Sequence, residues 1–305
     1  MSARFTRRRL LASGLAGLAG AAVAGFELVD HGVLPGKLSL DELLGDCSVS
    51  GPALTFAPTG PARTGQFFSR RRNRVVGYTI AYPPGHAPGA ELPLGVFLHG
   101  FGGNHTSGLG ELSLARALAA RQDGRSLPAM ALVAADGGGL YWNAHPGDDP
   151  MAMVVDELIP MCRRLGLGRR AGTIGAIGIS MGGYGALLLA EKHPRLISAV
   201  AAISPAIWTT YRQAREANAG AFASAADFAD DDVIAHAEAL RGIPVRIASG
   251  TDDPLHPGSV ALARVLPKSA VVDFTAGCHD GEFFGSQQHA SLAFLGQHLA
   301  DHDEA

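Results

Sequence analysis

The feature that most constrains the fold is a rhythm. From about position 75 onward, short continuous apolar runs alternate with stretches of helical period. Val75–Tyr82, Leu94–Leu98, Ala129–Ala135, Thr173–Ile179, Ile197–Ile203, Val245–Ser249 and Ala270–Phe274 are predicted as strands. Helices are predicted over Leu112–Arg121, Pro150–Leu165, Gly183–His193, Ser259–Leu266 and Gln287–Leu299. In the second of these, Met151, Val155, Leu158, Cys162 and Leu165 share one stripe, and Pro150 suits a first turn. Strands that are apolar along their whole length are buried on both faces, which a parallel sheet between two helix layers provides. The expected fold is therefore α/β, with a mostly parallel central sheet and helices on both faces. Residues 206–241 are Ala-rich and polar and break the rhythm. They are read as a short helical insertion over the carboxyl edge of the strands, where such sheets place their sites.

Composition narrows the class. With 305 residues, 47% of them hydrophobic, the chain has material for a large core and is not a disordered protein. Its 40 glycines and 18 prolines follow no triplet period, which excludes collagen. A formal charge of −3 supplies no basic face for nucleic acid. Three cysteines make neither a disulfide scaffold nor a paired zinc pattern, so no metal is expected. No organic cofactor is implied either. No apolar run reaches the roughly 20 residues of a membrane span.

The first 24 residues read as an export signal. Arg4, Arg7, Arg8 and Arg9 precede the apolar stretch Leu10–Ala24, which ends in the small-residue site Ala22-Val23-Ala24. Thr6-Arg7-Arg8-Arg9-Leu10-Leu11 resembles a twin-arginine signal, which implies export of a folded protein. Uncleaved, the segment would be the chain's one contact with a membrane. Its removal takes four of 25 basic residues, leaving 21 against 28 acidic ones and a charge of −7. An exported chain is expected outside the cell or in the envelope, where Cys47, Cys162 and Cys278 are free to form a disulfide. Three is an odd number, so at least one thiol stays unpaired within the chain; one bridge and none are both open. Residues 25–73 show no clear period and are treated as an N-terminal extension to a catalytic domain at 74–305. Within it, Arg70-Arg71-Arg72 is expected in a solvated loop or at a strand edge.

The sharpest motif is Gly178-Ile179-Ser180-Met181-Gly182. A buried strand precedes Ser180 and a helical run follows, the setting of a nucleophile elbow. Small residues at 178 and 182 let strand and helix approach each other around a strained serine. A serine hydroxyl needs a base, and the base an orienting group. The elbow fold puts them in the chain order serine, acid, histidine. After the Val245–Ser249 strand comes Gly250-Thr251-Asp252-Asp253, and after the last strand Gly277-Cys278-His279-Asp280. His279 is the expected base. Asp253 is favoured over Asp252 as the acid, since the two are adjacent and only one can face the imidazole. His289, His298 and His302 are expected to be solvated. The Met181 amide is one expected oxyanion donor. The second is sought in His99-Gly100-Phe101-Gly102-Gly103, at Phe101 or alternatively Gly102. Trp142 and Tyr141, with Trp208, are candidate substrate walls.

These segments, with Gly183-Tyr184-Gly185 after the elbow and Asp136-Gly137-Gly138 before Tyr141-Trp142, resemble the putative-esterase branch of the α/β-hydrolases. That branch includes esterase D, feruloyl and acetylxylan esterases and mycolyltransferases. The resemblance covers roughly residues 74–300. It implies an α/β-hydrolase fold and a secreted carboxylic-ester hydrolase with Ser180 as nucleophile, His279 as base and Asp253 as acid, working through an acyl-enzyme on a small-molecule or glycan ester. Two departures stand out. Phe283-Phe284 occupy the place of a Trp or Tyr pair after the histidine, and the Gly182-Gly183 pair is unlike mycolyltransferase elbows. Transfer of the acyl group to a sugar or other alcohol would use the same acyl-enzyme, and a non-catalytic binder would share the fold.

Overall fold

The computed structural model describes residues 47–110, 112–169 and 172–303. The export signal and residues 25–46 lie outside this range. The described chain forms one compact unit, Cys47–Ala305.

Its centre is an eight-stranded sheet. The strands are β2 (Ala62–Ser69), β3 (Arg74–Ala81), β4 (Leu94–Leu98), β7 (Ala131–Ala135), β8 (Ile174–Ile179), β9 (Ile197–Ile203), β10 (Val245–Gly250) and β11 (Val271–Thr275). Their spatial order is β11-β10-β9-β8-β4-β7-β3-β2. Neighbours from β7 through β11 run parallel, while β2 and β3 form an antiparallel hairpin at one edge. Every residue of β4, β7, β8, β9 and β10 is buried, which is why these segments are almost wholly apolar; the buried Arg246 of β10 is bonded to Asp273 and Gln287. A further small sheet joins β1 (Leu54–Phe56), β5 (Ala120–Gln122) and β6 (Arg125–Ser126).

Two cores line the two faces. On one, Val96, Leu98, Ala176 and Val200 pack with a long helical segment after β7 and with α4 (Met181–Lys192). That segment comprises α2 (Pro150–Met153), a wide turn at Val154–Leu158 and α3 (Ile159–Arg164). Its predicted single helix widens just ahead of Pro160, whose ring has no N–H and would clash with the carbonyl four residues back. On the other face, Phe97, Ile177 and Ala201 pack with α1 (Leu114–Leu118) and with Phe283, Leu292, Leu295 and Leu299 of the last helix. The insertion carries α5 (Tyr211–Ala217), α6 (Ala225–Asp230) and a 3-10 turn, Ala237–Leu240. The chain closes with α7 (His256–Val265) and α8 (Gly281–Asp303).

Three expectations are corrected. The helix predicted to Arg121 stops at Leu118, because Ala120–Gln122 pairs with Leu54–Phe56 and turns back through Asp123-Gly124. Both turn residues have positive φ, 51° and 75°, the geometry of a two-residue hairpin. Residues before 74 are not simply an extension, since Ala62–Ser69 pairs with β3 along its whole length. Arg72 is not solvated: it is 3% exposed and grips Asp148 through Nε at 2.6 Å and Nη2 at 3.0 Å.

Candidate active site

The elbow is built by close approach. A Cβ on Gly178 would sit 2.0 Å from the Gly182 carbonyl oxygen, and one on Gly182 would sit 1.9 Å from that of Leu98. Only glycine fits where β8, α4 and β4 converge. Ser180, between them, has φ 55° and ψ −121°, a conformation that costs a non-glycine residue about 1–3 kcal/mol. The backbone holds it there: the Ser180 N–H donates to the Ile203 carbonyl, and the Ser180 carbonyl accepts from Tyr184 and Ala206. Met181 is the first residue of α4, so its N–H has no partner within the helix. The helix terminus favours negative charge at that point.

Three side chains meet here. His279 Nε2 lies 2.8 Å from Ser180 Oγ, and His279 Nδ1 lies 2.8 Å from Asp253 Oδ2. The Asp253 side chain is fully buried and the imidazole is 23% exposed. Asp253 Oδ1 accepts the Leu255 N–H, which fixes the carboxylate plane. Asp252 turns away and accepts from Thr251 Oγ1 instead. The Phe284 and His279 rings stand edge to face with centroids 5.1 Å apart, so an aromatic stands at this place although not a Trp or Tyr.

The other expected residues are placed as follows. The His99–Gly103 loop starts against Ser180: a Cβ on Gly100 would lie 3.5 Å from Ser180 Cβ. The Phe101 ring is 69% exposed, and the Gly103 N–H closes the loop on the Gly100 carbonyl. Trp142 and Tyr141 do not stand as open walls. Trp142 is fully buried, with its Nε1 donating to the His99 carbonyl, and Tyr141 packs with Tyr184 and Phe222. Both have positive φ, 58° and 60°, which turns these large side chains into the core. Trp208 is half-buried and packs against the same core. His289 is buried rather than solvated, and burial lowers its pKa.

Several hydrogen bonds around the site join residues far apart in the chain. Asp136, just after β7, accepts the N–H groups of Gly77 in β3 and of His105 in the loop after β4. Asn218 of the insertion donates to the Gly139 carbonyl, and Asn143 donates to that of Ala221. These bonds dock the insertion on the loop after β7. A lone Asn has no period or spacing that would have marked it. Cys47 is bonded to Cys278, and the remaining cysteine, Cys162, is buried with its thiol pKa pushed up to about 12 by burial. Cys47, Cys278 and Asp280 cluster closely, but the two sulfurs are spent on each other and leave no ligand set for a metal.

A parallel sheet with a strained serine between strand and helix defines an α/β-hydrolase-type enzyme. The Putative esterase family matches residues 69–291, most of the chain, and the protein belongs to that family. It is a carboxylic ester hydrolase. No curated protein matches the chain. Among solved structures it is similar to a ferulic acid esterase, with 18% identity and a TM-score of 0.65 over 80% of this chain and all of the other. It is similar also to FphF, a fluorophosphonate-binding serine hydrolase of Staphylococcus aureus (15%, TM-score 0.63, 78% and 99% covered). An S-formylglutathione hydrolase from Agrobacterium tumefaciens is a third (18%, TM-score 0.61, 82% and 100% covered). At these identities the likenesses speak for the fold.

Proposed function

We propose that the protein is an exported serine carboxylesterase whose catalytic groups are Ser180, His279 and Asp253. The observation that carries this reading is the unbroken hydrogen-bonded line from Asp253 through His279 to Ser180 Oγ. Ser180 Oγ attacks the ester carbonyl carbon while His279 Nε2 takes its proton. Asp253 keeps the Nδ1 proton in place and stabilises the imidazolium that forms. The oxyanion is met by the Met181 N–H and by that of Phe101. His279 then protonates the leaving alcohol, which departs and leaves the acyl-enzyme. Water, deprotonated by the same nitrogen, releases the acid and restores Ser180.

The substrate is a small-molecule or glycan ester. Similarity to a ferulic acid esterase supports that class. The three-part layout of residues 1–24 and the Cys47–Cys278 bridge both support export to the envelope or beyond. The deciding experiment is hydrolysis of p-nitrophenyl esters of increasing acyl length, beside aryl and sugar esters, by wild type and Ser180→Ala. Short-chain activity that disappears in the variant is expected. Activity that survives the substitution, or that is missing from the wild type, would defeat the assignment.

A further inference from the structure

The residue that immediately precedes His279 is covalently tied to a point 231 positions earlier in the chain, at Cys47. His279 sits on the short loop between β11, which ends at Thr275, and α8, which begins at Gly281. On the α8 side the loop is capped, with Asp280 Oδ1 accepting the Phe283 N–H at 2.9 Å. On the β11 side stands Gly277, at φ 142°, a residue that imposes no backbone preference of its own. Its carbonyl accepts the Asp252 N–H at 3.1 Å and lies so near the acid loop that a Cβ on Gly250 would come within 2.1 Å of it.

Between this glycine and the base lies Cys278, fully buried. Its disulfide partner is anchored in turn. Gly51 packs on Ser286 of α8, and Leu54–Phe56 pairs with Ala120–Gln122. Arg116 of α1 covers the Phe56 ring at 3.8 Å. The bridge therefore links the His279 backbone to a fixed part of the molecule, one bond away from the residue whose ring must meet two partners at once.

We propose that the Cys47–Cys278 disulfide is a positioning element for His279, holding its imidazole between Ser180 and Asp253 so that full turnover requires the bond. The proposal rests on the reading of His279 as the catalytic base. A displacement of about 1 Å at a reacting group can cost about a hundredfold in rate. Released from its cross-link, the segment from Gly277 to Asp280 is held by hydrogen bonds rather than by a covalent bond, a weaker restraint on the imidazole. A bond that only cross-linked the fold would alter the unfolding midpoint and leave turnover by the folded enzyme unchanged.

The test uses the full chain. Dithiothreitol breaks the S–S bond, supplying two electrons and two protons and closing to its own cyclic disulfide. Thiol titration counts the released sulfhydryls, and far-UV circular dichroism shows that the chain stays folded. On p-nitrophenyl butyrate, kcat is expected to fall about ten- to hundredfold with KM changed less than about twofold. Reoxidation should restore it, and Cys47→Ser should reproduce the reduced state. The low-field proton resonance of the His279–Asp253 hydrogen bond should be sharp in the oxidised enzyme and broadened or lost in both altered forms. Folded, reduced enzyme that keeps its kcat and its low-field proton overturns the proposal. So does unfolding of both the reduced chain and Cys47→Ser, since the bond would then serve stability alone. Oxidised enzyme without Ser180-dependent activity would overturn the esterase mechanism instead, and the proton resonance would still report whether the bridge holds the imidazole.

Discussion

The Nε2 of His99 accepts the backbone N–H of Gly137 at 2.9 Å, joining two loops that border Ser180. An amide can only donate, so the imidazole proton must reside on Nδ1, where it is donated to the Gly100 carbonyl at 2.8 Å. Burial reinforces this neutral form by lowering the pKa of His99. One ring thus sets the start of the loop that carries Phe101. His99→Ala leaves the Gly137 amide buried and unpaired, at a cost of about 1–3 kcal/mol before any cavity is counted. Urea unfolding of the variant should show that loss. Its kcat should fall as well, because the loop is released beside Ser180.

The two neighbouring aspartates should separate cleanly. Asp253 is buried and bonded to His279, whereas Asp252 is partly exposed and bonded to Thr251. Asp253→Asn keeps the shape but offers the imidazole an amide that favours the wrong tautomer. It should lower kcat by about 10³–10⁴. Asp252→Asn should stay within about twofold. Steady-state rates on one ester decide the matter, and equal losses would contradict the assignment.

Arg71 and Arg72 are adjacent and carry the same charge, yet their substitution should differ greatly. Arg71 pairs with Asp156 where both side chains are about half exposed, a setting worth about 0–1 kcal/mol. Arg72 is buried, pairs twice with Asp148 and also donates to the Asp136 carbonyl. Arg72→Ala strands a largely buried carboxylate, which Arg74 alone then faces, and should cost about 3–5 kcal/mol. Arg71→Ala should be close to neutral. Denaturant titration of the pair measures the contrast.

That contrast also marks where the sequence stops being legible. The central strands could be read because burial on both faces keeps Leu94–Leu98 apolar throughout and Ile197–Ile203 apolar but for Ser198, whose hydroxyl donates to the Ile174 carbonyl. Ser180 could be read because the glycines at 178 and 182 answer a steric demand that few other turns make. The meeting of His279 and Asp253 beside it followed from the order in which such a sheet delivers its loops. Arg72 could not be separated from Arg70 and Arg71, because what buries it is Asp148, a partner 76 positions away. The disulfide was invisible for the same reason, with an odd cysteine count and a partner 231 positions distant. Trp142 and Tyr141 were placed in the right loop but on the wrong side of it. Their direction depends on two consecutive positive φ values that no residue type there announces. The helix expected to run to Arg121 ended early because Leu54–Phe56 competes for its last residues, a contact made across the chain rather than along it.

Stability should decline as the solution is made mildly acidic, and His289 offers the clearest single contribution. His99, His256 and His289 all have pKa values lowered from 6.5, with burial the largest cause in each. In the unfolded chain they take up a proton near pH 6.5, while the folded protein resists doing so. The unfolded state then binds more protons, so the free energy of unfolding rises with pH across that window. The stabilisation is complete above about pH 6.5 and is lost as the pH falls below it. Glu191 acts in the opposite sense, since burial raises its pKa and its protonation favours the fold at lower pH. A single-site comparison isolates the histidine. His289 Nε2 is buried with no hydrogen-bond partner among the described residues, so His289→Gln removes a group that resists charging without breaking a bond. The urea midpoint of the wild type should fall relative to that of the variant as the pH drops from 7.5 to 5.5, about one unit either side of the ordinary histidine pKa. Midpoints that stay a constant distance apart would show that His289 does not contribute to the acid sensitivity.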